Sequence, residues 1–307
     1  METYLTKRTI VPSLEEIIGE ECTLLDGKGK LVICDYMGSD ETIARAARTS
    51  YKKGTKTVND DKGLIRYLMR HRHSTPGEMP EILMYVKAPL FVIQQWLRHR
   101  TCSFNQTSHR YSIASEDMLQ TDKDKWRKQS SQNNQGSEGF LDEKLGAEFS
   151  EDEQTLQVLI TREYKRRLDA GIAREQARKD LSHSTYSELF IKQDAHNLLH
   201  FASLRSDPHS QWEIRQYSDL ILHEVIKRWL PISYQAFLDY RFNAISLTAQ
   251  DIETIAAINS NANAKNLLES WGWIKYNEKG KLLKHRERSE LEEKLKQLNM
   301  EIPWKKV

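Results

Sequence analysis

Apolar positions in this chain of 307 residues alternate in some stretches and recur at helical spacing in others. Leu31 to Tyr36 (LVICDY) and Ile82 to Val86 (ILMYV) are rich in β-branched or aromatic residues and predict strands. Gly63 to His71 puts Leu64, Ile65, Leu68 and Met69 on one helical face, and Asp40 stands where it can cap a helix through Ile43 to Arg48. Pro76 stops the Gly63 helix, because a residue before proline avoids the α region. Pro89, tolerated in a first turn, opens another that reaches about Arg98. Helical patterns return at Gln154 to Ala170, Ala173 to Leu181, Asp194 to Leu204 and Ser210 to Trp229, with Pro231 ending the last, and again at Ser289 to Leu298. Residues 1–20 read as a loose arm. Residues 121–151 are dominated by Lys, Asp, Gln, Asn, Ser and Gly and read as an exposed, partly disordered insertion. No internal repeat is visible.

Charge narrows the class. With 46 basic and 44 acidic side chains the net charge is only +2, whereas nucleic-acid binders normally carry a strong basic excess. Cys22, Cys34 and Cys102 are odd in number and lack CxxC spacing, which argues against a disulfide framework or structural zinc and fits a reducing cytoplasm. The N-terminus has no apolar signal-peptide core, and no window approaches a membrane span.

One stretch carries chemistry. RHRTCSFNQTSHR, from Arg98 to Arg110, collects Arg98, His99, Arg100, His109 and Arg110 with no acidic residue among them. Such a cluster repels itself unless an anion sits in it. Planar Arg forks suit phosphate, and Ser and Asn add neutral donors, so the stretch predicts a site for phosphorylated ligands. Two other readings stay open: a solvated basic loop, or an RNA- or nucleotide-binding surface without catalysis. Gln95 and Arg98 are spaced to share a helix face, and Ser103, Asn105, Ser108 and Arg110 can converge on one ligand. Cys102 lies inside the run, where cations can lower its pKa, although a small filler is the plainer reading. His71 and His73, and the helical pair His196 and His200, have spacings seen in metal sites. No third ligand follows the first pair, and HNLLH lacks the glutamate of a zinc hydrolase, so no metal is expected. Arg178, alone on a helix, reads as a surface charge.

RHR, seven residues and then Ser108 resembles the signature of the flavin-dependent thymidylate synthases. The flanking KAPLFVIQQWLRHR, the run His71 to Glu78 and SLRSDPHSQWEIRQY from Ser203 resemble that family too, over about residues 35–115 and 160–240. The resemblance implies an α+β fold, a small mixed or antiparallel sheet covered by long helices, with a catalytic domain over 1–245 and a helical extension over 246–307. It implies reductive methylation of dUMP to dTMP, with bound FAD, NADPH as reductant and methylenetetrahydrofolate as carbon donor. Matched positions would hold the nucleotide through Gln95, Arg98, Gln106, Ser108, His109, Arg110, Arg178 and Arg205. Thr75, Glu78, Arg98, His99, Arg100, Asn105, Gln106, Asp194, His196 and His200 would line the cofactor. Arg205 and His73 would serve catalysis, Arg205 by stabilising negative charge that develops on the pyrimidine. The family also implies a homotetramer with active sites between subunits. Four positions depart from a common pattern: Gln106 where Glu is frequent, His109 where a small residue is frequent, and His196 and His200 in place of Arg and Asn. They keep a related modification, such as hydroxymethylation of a pyrimidine nucleotide, as the runner-up.

Overall fold

Strict in-and-out alternation builds the sheet. In a computed structural model describing residues 8–49, 58–131, 135–260 and 262–305, five strands lie in the order β1 (Glu21–Leu24), β2 (Gly29–Met37), β3 (Glu81–Pro89), β7 (Tyr186–Asp194) and β4 (Ser103–Gln106), every pair antiparallel. Leu31 and Ile33, then Ile82, Met84, Val86 and Ala88, then Leu189 and Ile191 all point to one face and are buried. A bulge between Ile33 and Asp35 shifts the register of β2, so Tyr36 rejoins that face. The opposite face carries Tyr85 against Phe190, ring centroids 5.6 Å apart, with Phe190 45% exposed.

Helices cover the buried face. α4 (Leu90–Trp96) supplies Val92, Ile93 and Trp96; α7 (Ala195–Arg205) supplies Leu198, Phe201 and Ala202; and α8 (Trp212–Leu220) supplies Ile214 and Tyr217. Trp96 stacks on Phe201 at 4.7 Å, and the Tyr217 hydroxyl donates to the Lys87 carbonyl at 2.7 Å. α8 runs on through a π-helical segment, Ile221–Ile226, into α9 (Lys227–Trp229). α2 (Asp40–Thr49), α3 (Val58–Arg70) and α10 (Pro231–Phe237) complete this layer. The hairpin β5 (Arg127–Gln129) and β6 (Ser137–Phe140) leads into the 27-residue α5 (Glu143–Asp169), which the short α6 (Arg174–Ala177) follows.

Several expectations change. Residues 8–20 are docked rather than loose: Leu14, on the single turn α1 (Pro12–Glu15), is fully buried, and the Val11 amide donates to the Tyr36 hydroxyl at 2.6 Å. Residues 1–7 lie outside the described residues. The helix read from Gln154 starts at Glu143, where Asp142 caps it. Pro231 begins a helix as well as ending one: α9 stops at Trp229, and Asp40 caps the helix that Pro231 opens, its carboxylate accepting from the Ile232 and Ser233 amides at 2.7 and 3.1 Å and from the Ser233 hydroxyl at 2.6 Å. Burial raises the Asp40 pKa. α4 stops at Trp96, so Arg98 lies beyond the helix and shares no helical face with Gln95.

The described residues divide into two compact units, 1–242 and 243–307. The second holds α11 (Ala249–Asn259), α12 (Ala264–Ser270) and α13 (Arg286–Gln297) around Leu268, Trp273, Ile274, Leu291, Leu295 and Trp304.

Candidate active site

Arg205 closes α7. At the other end of that helix Asp194 terminates β7 and caps α7, accepting from the Asn197 amide at 2.9 Å and its side-chain amide at 2.7 Å. The Arg205 guanidinium is half-buried; its Nε donates to His99 Nε2 at 3.0 Å, Nη1 to Gln95 Oε1 at 3.3 Å and Nη2 to the Gln95 carbonyl at 3.0 Å. A guanidinium carries five N–H donors, so donors remain for a ligand. His99 can accept only as a neutral imidazole. Burial, then the charges of Arg205 and His200, push it down to about 4. Burial lowers Arg205 as well.

A cleft of about 380 Å³ lies along α7. His73, Ser74, Gly77, His196 and His200 line it, with Leu68, Leu199 and Phe237 among its apolar walls. The turn Thr75–Glu78 approaches α7 so closely that a Cβ on Gly77 would lie 3.4 Å from His196 Cβ. Arg72, which precedes this turn, adopts the left-handed conformation (φ 61°) in which glycine is usual, and the His73 amide donates to the Leu68 carbonyl, closing α3 in a Schellman-type cap. Arg72 and Arg241 add positive charge; burial and Arg72 together lower Arg241. From the turn, Ser74 and Gly77 line the cleft rather than Thr75 and Glu78, and Asp194 is spent on the α7 cap. Arg98 and Arg100 are exposed and have no acidic partner among the described residues. An apolar cleft with convergent imidazoles, lined also by the Arg72 and Arg241 guanidinia, fits a flat ring carrying a diphosphate.

The rest of the motif follows β4. Asn105 is exposed, and Gln106 Nε2 donates to the buried Ser187 hydroxyl at 3.1 Å. The Ser108 hydroxyl accepts from the Arg110 amide at 3.3 Å. His109 is buried, and burial and Arg178 lower its pKa, so a neutral ring faces that guanidinium. Arg110 pairs with Glu175 at 3.1 Å on the surface. Among the described residues, no hydrogen bond or ion pair joins this group to Arg205 and its partners. Cys102 fits the plainer reading, a small filler: burial and the nearby Asp194 push its thiol up to about 12, so it is no thiolate and the neighbouring cations do not lower it.

A family model described as thymidylate synthase complementing protein matches residues 32–232. A flavin-dependent thymidylate synthase of Wolbachia pipientis is 43% identical over 250 residues, spanning 81% of this chain and 87% of its own. The chain belongs to the flavin-dependent thymidylate synthases. The family member of Gluconobacter oxydans is 42% identical, covering 83% of this chain and 84% of its own. Among solved structures, the UMP/dUMP methylase PolB of Streptomyces cacaoi, bound with 5-Br dUMP, superposes with a TM-score of 0.64 at 30% identity over 69% of this chain and 95% of its own. Membership in a family of flavin-dependent synthases sets aside the reading of the chain as a non-catalytic nucleotide- or RNA-binding protein. Sequence reasoning missed Gln211 and Glu213: Gln211 Oε1 accepts from Gln95 Nε2, and Gln211 Nε2 donates to Glu213 Oε2 at 2.9 Å. Both lie in the quoted stretch SDPHSQWEIR, but spacing alone gave them no role.

Proposed function

We propose that this enzyme methylates dUMP to dTMP, with FAD bound, NADPH as reductant and methylenetetrahydrofolate as carbon donor, and with the site residues in the following roles. Arg205 meets the pyrimidine. Its partners Gln95 and neutral His99 fix the guanidinium while leaving donors free, and this observation carries the assignment. A cation held in that way stabilises negative charge on the base without rearranging during the reaction. The nucleotide phosphate takes Ser108, Arg110 and Arg178, with His109 beside them, while Gln95, Arg98 and Gln106 complete its binding.

The flavin is held by His73, His196 and His200 along the cleft, by His99 at its buried end, and by Arg98 and Arg100 at its diphosphate. Thr75, Glu78, Asn105 and Gln106 lie at the rim, and Asp194 positions the two α7 histidines through its cap. FAD, when bound, supplies the redox chemistry of the reductive step; the protein binds phosphates, orients flat rings and sets the potential around them.

The enzyme works in the cytoplasm as a homotetramer with active sites between subunits. Among the described residues, no helix is long and apolar enough to cross a membrane. Two features support the assembly. Tyr111 and Ile113, beside Arg110, are 81% and 62% exposed, and among the described residues no hydrogen bond or ion pair joins the residues assigned to the phosphate to Arg205 and its partners.

The test is anaerobic incubation with FAD, NADPH, methylenetetrahydrofolate and dUMP, with the product nucleotide weighed by mass spectrometry. The expected result is a gain of one methyl group. Arg205→Ala is expected to lose about 10²–10³ in kcat while the protein stays yellow. Full activity of that variant would remove Arg205 from its role. An unchanged nucleotide over a reducible flavin would overturn dUMP as substrate and turn attention to Gln106 and His109.

A further inference from the structure

Arg205 is tied to a part of the chain with no role so far. The tie runs from Gln95 to Gln211 and on to Glu213, whose other carboxylate oxygen, Oε1, accepts from Arg127 Nη2 at 2.5 Å. Arg127 is the first residue of β5, in the polar segment that follows the motif loop. Its guanidinium carbon lies 5.4 Å from the centre of the Trp212 ring.

The order of the amides in this relay is dictated by its ends. A carboxylate only accepts, so Gln211 must turn its NH2 to Glu213 and its oxygen to Gln95. Gln95 must then give its NH2 to Gln211 and its oxygen to Arg205, which only donates. Arg127 supplies the positive charge that anchors Glu213, a side chain only 11% exposed. The segment bearing Arg127 is itself fixed. Trp126 Nε1 donates to the Ser150 hydroxyl on α5 at 3.0 Å, that hydroxyl donates to the Thr121 carbonyl at 2.7 Å, and α5 passes so close that a Cβ on Gly146 would lie 1.9 Å from the Lys123 carbonyl oxygen.

We propose that Arg127 is a positioning residue for the reaction, setting the Gln95 amide, and through it the Arg205 guanidinium, by way of Glu213 and Gln211. This rests on the role given to Arg205 above. A relay polarised from both ends leaves Gln95 one orientation; without its anchor the amides are free to flip, and the NH2 of Gln95 can then turn against a cation.

A double-mutant cycle in kcat/KM for dUMP tests it. Arg127→Ala is expected to lose about tenfold, and Arg127→Lys, which keeps the charge, to recover most of that. In a Gln95→Ala background, Arg127→Ala is expected to cost less than about twofold, because the amide it sets is gone. Loss of folded protein cannot imitate this result, since it would appear equally in both backgrounds. The same tenfold loss in both backgrounds would overturn the proposal, as would an Arg127→Ala enzyme of wild-type kcat/KM. Arg205→Ala in the same assay separates the two levels. If it is fully active, the role of Arg205 fails; if it is inactive while the cycle is additive, only the relay fails.

Discussion

Acidification should strike this protein at His99. Its imidazole is depressed from 6.5 to about 4 by burial and by the neighbouring Arg205 and His200. At pH 5 an unfolded chain would hold nearly a full proton on this residue, while the folded one holds about a tenth. Stability therefore falls as pH falls, because the unfolded state binds the extra proton. The slope from this one residue is about 1.2 kcal/mol per pH unit, and the loss between pH 7 and pH 4 is about 3 kcal/mol. The contribution is whole above pH 6.5 and disappears as pH drops through 4. Protonation would also remove the lone pair that takes the Arg205 Nε–H, so the site loosens with the fold. Two measurements check this. In a histidine-detected NMR titration, the resonance missing from His99→Gln should have its midpoint near 4. In urea unfolding at a series of pH values, the variant should be less acid-sensitive than the wild type by roughly the slope above. A His99 midpoint of 6 or higher, or equal slopes in the two proteins, would refute the reasoning.

Two further outcomes are expected. Asp40→Ala strands the Ile232 and Ser233 amides at the start of α10 and should cost about 1–2 kcal/mol in urea unfolding, with Asp40→Asn, which keeps an acceptor, costing less; equal midpoints for wild type and Asp40→Ala would show that the distant cap contributes nothing. Sedimentation under assay conditions should find a tetramer, and a fully active monomer would end the inter-subunit reading.

Much of the frame was legible before any coordinates. β2 and β3 announced themselves by their β-branched and aromatic runs, and α3 by apolar residues at helical spacing. β7 did not: Leu189, Ile191 and Gln193 point inward, but Phe190 points outward between Glu188 and Lys192, so hydrophobicity does not alternate as burial does. β4 has the polar sequence SFNQ and exists because β7 offers it backbone partners, a fact no local pattern contains. Charge alone marked the basic motif as a candidate phosphate site. The neutral state of His99, the high pKa of Cys102 and the Asp40 cap depend on which distant groups burial brings together. Gln211 and Arg127 are the extreme case, since their importance is a matter of hydrogen-bond direction across four chain segments.

The strand order has a consequence for how the site comes into being. β4, which carries the middle of the signature motif, pairs with β7 alone, and β7 is synthesised some eighty residues later. Until Tyr186–Asp194 has emerged and paired with β3, the motif segment has no edge to join. The early chain can build only the meander of β1, β2 and β3, with the apolar face of that meander still awaiting α7 and α8. Contacts this distant in sequence are slow to close and leave sticky surface waiting. Ligand-binding competence is thus a late event in the life of each nascent chain. A product truncated before Tyr186 would contain the whole signature and none of the strand that holds it in place.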